Sequence, residues 1–412
     1  MKVGLLHYTG PPVVGGVEQT LAHHARHLAA AGHEPVLVVG AGRLAEPGVE
    51  LRVLPRLQAR HLDVMAVKHE LDRGAVGPRF QTLTGELRRE IEAATRDLHV
   101  LIVHNALSLH KNLPLTAALW ELHRNATWPR LIGWHHDLAW ERGEYAAELH
   151  PGEPWDLLRR SWPGVVQVVV SEWQRQQLAD LTHTSLGSIT VIPPGVDPAE
   201  FLRWGLPARH LHQTLGLDHA ELVLLFPSRV TRRKNIGQAI SITAALTALS
   251  GLDVRLIVTG PPGPHNPANE EYLRDLGDLC RTLGVEGRVH FLHRLDPEAG
   301  GLDEVTLAEL FTSADALLIT SQAEGFGIPI LEAGLTRLPV FCTDIPPFRE
   351  SGRDDVTFLD LQESPEQSAQ RILTVLEADV HHRLRRRVLR EFTWARLVRE
   401  RLLPLLESGP DV

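Results

Sequence analysis

Two carboxylates, two glycines and a proline are gathered in Glu324-Gly325-Phe326-Gly327-Ile328-Pro329-Ile330-Leu331-Glu332, a combination suited to an anionic, hydroxyl-rich ligand. Gly325 and Gly327 allow close approach of backbone to a ligand, and Pro329 suits the first turn of a helix. Amide N–H groups at a helix start have no partner within the helix and face an anion readily. The apolar run Ala316-Leu317-Leu318-Ile319-Thr320 reads as the strand that delivers this turn. Glu324 then sits in the loop and Glu332 about one turn into the helix, so that one carboxylate is placed for a sugar and the other for a ribose. Taken alone, the pattern also fits an ordinary loop acid and an exposed helix glutamate.

Three further groups have chemistry to offer. Arg229, Arg232, Arg233 and Lys234 put four cations into six positions after the apolar run 222–226. Such a loop either binds phosphate oxygens or is simply solvated. The chain has only four lysines (Lys2, Lys68, Lys111 and Lys234), so an ammonium among arginines at Lys234 favours a specific use. Gly15 and Gly16, after the first strand-like run and before the first helical one, can present N–H groups to phosphate or sugar, or make a tight turn. His136, in Trp134-His135-His136-Asp137, follows a strand-like run from Arg130 to Gly133, where a βα crevice collects functional groups. A lone histidine is equally a structural one. His104, with Asn105 beside it, is a weaker candidate at another strand end.

The elements that must position these groups alternate. Strand-like Val3 to His7, 35–39 and 98–104 are separated by helical 18–31 and 86–96; a second series runs through 222–226, 237–248, 254–258, 270–283 and 289–292. This is the βαβ rhythm of doubly wound α/β units. Val191-Ile192-Pro193-Pro194-Gly195-Val196-Asp197-Pro198 reads as the linker. The expected division is 1–194, 195–390 and a C-terminal helix, 391–412, with Trp394 as its packing anchor. Residues 56–79 lack a clean period and are expected to form an irregular surface segment. A length of 412 residues suits two domains, each large enough for its own core.

Composition excludes several classes. With 43% apolar and 23% charged residues the chain reads as globular, and a formal charge of −9 argues against a nucleic-acid binder. Cys280 and Cys342 lack disulfide-framework or zinc spacing. With no leader-like segment and no membrane-length apolar run, a cytoplasmic protein is expected. The basic run 381–390 reads as a solvated helix face, with weak contact to anionic lipid as the other reading. Gly40-Ala41-Gly42-Arg43-Leu44-Ala45 fits a dinucleotide fingerprint, but Pro47 and Gly48 interrupt the helix it needs. His23 and His27 have zinc-protease spacing, yet His24 stands where the base would be, and an Ala-rich surface helix explains them better.

These motifs together resemble the retaining glycosyltransferases of family 4 (glycosyl transferases group 1), over nearly the whole chain. The family pattern E-x-F-G-x-x-x-x-E, followed by a small residue, matches Glu324 to Glu332 and Ala333. Its R-x-x-x-x-K-N matches Arg229, Lys234 and Asn235; its G-G-x-E matches Gly15, Gly16 and Glu18; its H-D matches His136 and Asp137. Pro194 replaces the usual Asn of the I-P-N-G-V-D junction. The resemblance implies a GT-B fold: two facing Rossmann-like doubly wound domains with a cleft between them, the acceptor on the N-terminal one and a nucleoside-diphosphate sugar mainly on the C-terminal one. It gives Glu324 the sugar hydroxyls, Glu332 the ribose, and Arg229 and Lys234 the diphosphate, which the backbone amides near Phe326 to Ile328 also meet; Gly325, Phe326, Gly327 and Ile328 all count among the expected donor-binding residues. Gly15 and Gly16 close over the donor, and His136 lies near the transferred sugar. His136, Arg229, Lys234 and Glu324 are the expected catalytic set. The implied activity is retaining transfer of a hexose to a hydroxyl acceptor that is a sugar, a lipid-linked molecule or a small molecule. No cofactor is implied and, since no D-x-D occurs, no metal. The alternatives are a non-catalytic nucleotide-sugar-binding partner subunit and another GT-B chemistry, an epimerase or a phosphorylase.

Overall fold

The computed structural model describes residues 1–13, 15–43, 46–125, 128–264, 266–295 and 301–407. Two compact units are present: Met1–Val196 with the C-terminal segment from Glu391, and Asp197–Arg390.

The first unit is built on seven parallel strands, β1 (Lys2–His7), β2 (Glu34–Val39), β3 (Glu50–Val53), β4 (Val100–His104), β5 (Arg130–His135), β6 (Val166–Val169) and β7 (Ile189–Val191), in the order β3-β2-β1-β4-β5-β6-β7. Helices α1 (Gly16–Ala30), α2 (Leu62–Leu71), α3 (Pro78–Thr95), α4 (Leu113–His123) and α5 (Glu172–Thr182) connect them. Central strands such as Val100–His104 are wholly buried, as expected where helices cover both faces of a parallel sheet. Gly4 is required there, because a Cβ would collide with the side chains of Leu98 and Leu101.

The second unit opens with α6 (Pro198–Phe201) and α7 (Leu206–Leu215). Strands β8 (Leu222–Phe226), β9 (Val254–Val258), β10 (Val289–Phe291), β11 (Ala316–Ile319), β12 (Val340–Thr343) and β13 (Thr357–Leu359) follow, all parallel, in the order β10-β9-β8-β11-β12-β13. Its helices are α8 (Ile236–Ser250), α9 (Ala268–Thr282), α10 (Glu304–Ser313), α11 (Ile328–Thr336), α12 (Pro346–Gly352), α13 (Pro365–Ala378) and α14 (Val380–Glu391). In each sheet the winding direction reverses once, between β1 and β4 and between β8 and β11. Ligands bind at such switch points, beyond the carboxyl ends of the strands. Both sheets are of the Rossmann-like kind found in two-domain GT-B proteins.

The chain then returns to the first unit through α15 (Trp394–Leu397), a π turn over Val398–Leu402 and α16 (Leu403–Glu407). Trp394 is buried, stacked on His23 and edge-on to His24. Arg130 donates to the carbonyls of Leu405 and Leu406, tying the last helix to β5. Gly195 leaves room for Trp394, whose ring and backbone would lie within 3.0 Å of an added Cβ, and Val196 and Thr393 form a parallel bridge.

Two local expectations are corrected. Residues 56–79 are not irregular: they contain α2, which buries Val64, Val67 and Leu71, and the start of α3. The α2 cap is His61, whose ring accepts from the Asp63 N–H, rather than one of the small residues that mark helix starts. The α1 helix is not merely a surface helix either, since Leu21, His24, Ala25 and Leu28 are buried. In the decoy Gly40–Ala45, Leu44 and Ala45 lie outside the described residues. Both cysteines are free and buried. Among the described residues no helix is long and apolar enough to cross a membrane.

Candidate functional site

In the second unit, the loops leaving β8 and β11 meet at the switch point. The basic loop is held from both sides. The Val230 N–H donates to the Pro261 carbonyl, and Gly260 is confined against the backbone of Ser228 and Arg229. Thr320 at the end of β11 donates to the carbonyl of Asn235, and the Gln322 N–H to that of Arg233. Asn235 takes a left-handed conformation (φ 52°) to turn the loop into α8, a role Asn tolerates better than most residues.

This stitching brings together charges that are 90 residues apart. The Lys234 ammonium donates to Glu324 Oε1 at 2.5 Å, and Arg233 donates to Oε2 at 2.9 Å. Ser321 adds a third donor to Oε1 at 2.7 Å. Lys234 and Glu324 are mostly buried, at 15% and 11% side-chain exposure, whereas Arg233 is 54% exposed. Burial opposes ionisation of Glu324, but the hydrogen bonds from Lys234 and Ser321, the Lys234 charge and the Arg233 contact outweigh it. The carboxyl is therefore held below its ordinary value.

A pocket of about 370 Å³ opens beside this pair. Phe226, Pro227, Ser228 and Lys234 form one wall, the turn Glu324–Pro329 the other, with Ile319 and Phe348 behind. Gly327 caps α11 at φ 105°, and a Cβ there would stand 2.8 Å from the Phe348 ring. Pro329 lies in the first turn of that helix, as the sequence suggested. The structure thus gathers Lys234, Glu324, Gly325, Phe326, Gly327 and Ile328 around one cavity. Glu332 and Arg229 do not line it. Glu332 lies half-buried on α11, its carboxyl raised by burial. Arg229 is exposed and makes no ion pair among the described residues.

In the first unit the corresponding strand ends carry neutral histidines. His136 follows β5. Its N–H donates to Asn105 Oδ1 at 2.7 Å, its carbonyl accepts from Gln174 Nε2 at 2.6 Å, and its Nε2 lies 3.1 Å from Nδ1 of His104. Burial first, then the neighbouring His7 and His135, hold His136 down to about 3. His24 is likewise depressed to about 3 and His135 to about 4, both chiefly by burial, and His104 lies well below its ordinary value for the same reason. Asn105 performs its double acceptance, from His136 and Asp137, in a left-handed conformation (φ 60°). Gly15 caps α1 and Gly16 begins it; a Cβ on Gly15 would strike the Glu18 carboxylate, which also accepts from Thr9 at 2.5 Å. Val14, between the glycines and the first strand, lies outside the described residues.

Sequence reasoning missed Arg233 and Ser321 as partners of Glu324, Gln174 as a partner of His136, and Phe348 beneath Gly327. Only Arg233 carried a signal, as one of the clustered cations. Among the described residues no group of three or more His, Cys, Asp or Glu side chains is placed to hold a metal ion. The basic run 381–390 lies on α14. There Arg385 reaches Asp315 and the Thr312 and Ser313 carbonyls, while Arg383, Arg387 and Arg390 are exposed.

Comparison with known proteins bears on both units. Residues 14–200 match the family model described as Glycosyltransferase Family 4, and residues 208–390 that described as Glycosyl transferases group 1. A D-inositol 3-phosphate glycosyltransferase from Actinosynnema mirum is 28% identical over 355 residues, 80% of each chain. One of the same name from Stackebrandtia nassauensis is 34% identical over 171 residues, 40% of this chain and 36% of that one. The sucrose-phosphate synthase structure from Thermosynechococcus elongatus aligns over 98% of both chains at 18% identity, with a TM-score of 0.38. The two family models leave only residues 201–207 unmatched between 14 and 390, and the chain belongs to the group 1, family 4 glycosyltransferases.

Proposed function

We propose that the chain transfers a hexose from a nucleoside-diphosphate sugar to a hydroxyl acceptor with retention of configuration and without a metal ion. The observation that carries this reading is the pocket at the end of β8 and β11, where a half-buried ammonium, a carboxylate and the first turn of α11 converge. Its volume of about 370 Å³ falls in the range of small-molecule sites.

Breaking the bond between a sugar and a diphosphate requires stabilising charge on the leaving oxygens, and fixed donors in a half-buried site do this well. An ammonium has three donors; Glu324 engages one, which aims Lys234 and leaves two for diphosphate oxygens. The α11 start adds a favourable dipole end. Arg229, exposed and unpaired among the described residues, is free to swing onto the same phosphates. Glu324 accepts three protein donors and keeps about one lone-pair site for a sugar hydroxyl. In this account it both aims Lys234 and orients the sugar. Glu332 meets the ribose, Gly15 and Gly16 cover the donor, and His136 faces the transferred sugar. The relatives named as D-inositol 3-phosphate glycosyltransferases make phosphorylated cyclitols a sensible first class in an acceptor screen.

The test is turnover. Nucleoside-diphosphate release should depend on acceptor, persist in EDTA, and give a product whose anomeric proton coupling matches that of the donor. An inverted product would overturn retention, and loss of activity in EDTA would overturn metal independence. Sugar release without any acceptor would point to other GT-B chemistry, and donor binding without turnover across an acceptor panel to a binding subunit.

A further inference from the structure

We propose that His104 is a positioning residue for His136, fixing its ring as the tautomer protonated on Nδ1 so that the nitrogen left without a protein partner is a hydrogen-bond donor. The proposal rests on the reading above that His136 faces the transferred sugar.

His104 ends β4, is fully buried, and lies 3.1 Å through Nδ1 from His136 Nε2. Its other nitrogen, Nε2, is buried without a hydrogen-bond partner. Two arrangements of the shared proton are open to a neutral pair. If His136 Nε2–H donates, His104 carries its own proton on Nε2, a buried N–H with no acceptor. If His104 Nδ1–H donates, the buried Nε2 is only an unused lone pair. Orphaned buried N–H groups are rarer than under-used acceptors, so the second arrangement is favoured. His136 must then hold its proton on Nδ1. The rings stay neutral because burial and further imidazoles oppose an added charge: His24 has its ring centre 5.6 Å from that of His104, and His7 contacts the His104 carbonyl. Asn105 and Gln174 fix the His136 backbone, so the His104 contact sets the ring itself. His136 is therefore a donor to an oxygen of the sugar or of the departing diphosphate, rather than a base.

The experiment is selective 15N-histidine NMR on the ligand-free full-length protein near pH 7.5, with the His136 signals identified by their loss in His136→Gln. A pyrrole-type Nδ1 and a pyridine-type Nε2 are expected, and the reverse would overturn the assignment. A second measurement compares His104→Asn, whose amide reaches the Nδ1 position, with His104→Leu. The Asn variant should keep kcat within about threefold, and the Leu variant should lose about tenfold to a hundredfold at little changed donor KM. Equal kcat in the two variants would contradict the positioning role. If the tautomer is found as expected but His136→Gln turns over like the parent, the pairing stands and the sugar-facing reading of His136 fails instead.

Discussion

The two units share a topology but load their switch points with opposite chemistry. Beyond β4 and β5, the first unit has buried imidazoles kept neutral by burial and by one another. Beyond β8 and β11, the second has an ion-pair cluster, Lys234 and Arg233 on Glu324. One fold therefore supports either kind of site, and the difference lies in what faces each strand end. Imidazoles packed on Trp134 and Trp394 are dry, whereas the Lys234 loop borders an open pocket. The first arrangement should respond to acid and the second to anions.

The largest effect that would break this contrast lies in the charged site. Lys234→Ala should lower kcat by about a hundredfold to a thousandfold, the scale for removing a donor to developing negative charge. Circular dichroism should show the fold intact, and turnover within a few-fold of the parent would remove Lys234 from the mechanism.

Acid should separate the units next. An unfolded histidine titrates near 6.5, whereas His24, His135 and His136 are held down to about 3, 4 and 3. The unfolded chain thus binds protons first, so the stability from keeping these rings neutral is complete above about pH 6.5 and is lost as pH falls toward 4. The Glu324 carboxyl is lowered as well, by its three donors, so its contribution has the same sign but is lost only as pH falls through the ordinary carboxyl range and below. In the second unit His290, held to about 4, gives a smaller effect of the same sign. Hydrogen exchange at pH 7 and pH 5, corrected for intrinsic rates, should show protection falling more in residues 2–135 than in 222–343. Equal loss would contradict the contrast.

Two smaller changes sharpen the charged side. Gly327→Ala places a side chain at φ 105° and against Phe348, and should cost about 1–3 kcal/mol in urea melts. Glu332→Ala should weaken donor affinity about tenfold, roughly the value of one charged hydrogen bond, with kcat at saturation little changed.

The legible parts of the sequence are those whose physics is local. Leu222–Phe226 and Ala316–Ile319 declared themselves because central parallel strands are continuously apolar. The α11 start was legible through Gly327 and Pro329, whose backbone preferences are their own. The edge strand Glu50–Val53 was not, since its residues are half-exposed and two are charged. Helix α2 stayed hidden behind a histidine cap and a narrow apolar face. Nor does any local pattern announce that Lys234 meets Glu324 or that His104 meets His136, because pairing across neighbouring strand ends is a property of the sheet order.

The most direct test of the account is thermal stabilisation of the purified protein by a panel of UDP, GDP, ADP and dTDP sugars, with and without EDTA, beside Lys234→Ala. A ligand that binds only the folded state at a hundred times its Kd adds about 2.7 kcal/mol. The account predicts a clear rise in Tm with at least one donor that survives EDTA and shrinks in the variant. No shift with any donor, at concentrations well above a millimolar Kd, would contradict the assignment of the β8–β11 pocket to a nucleotide sugar.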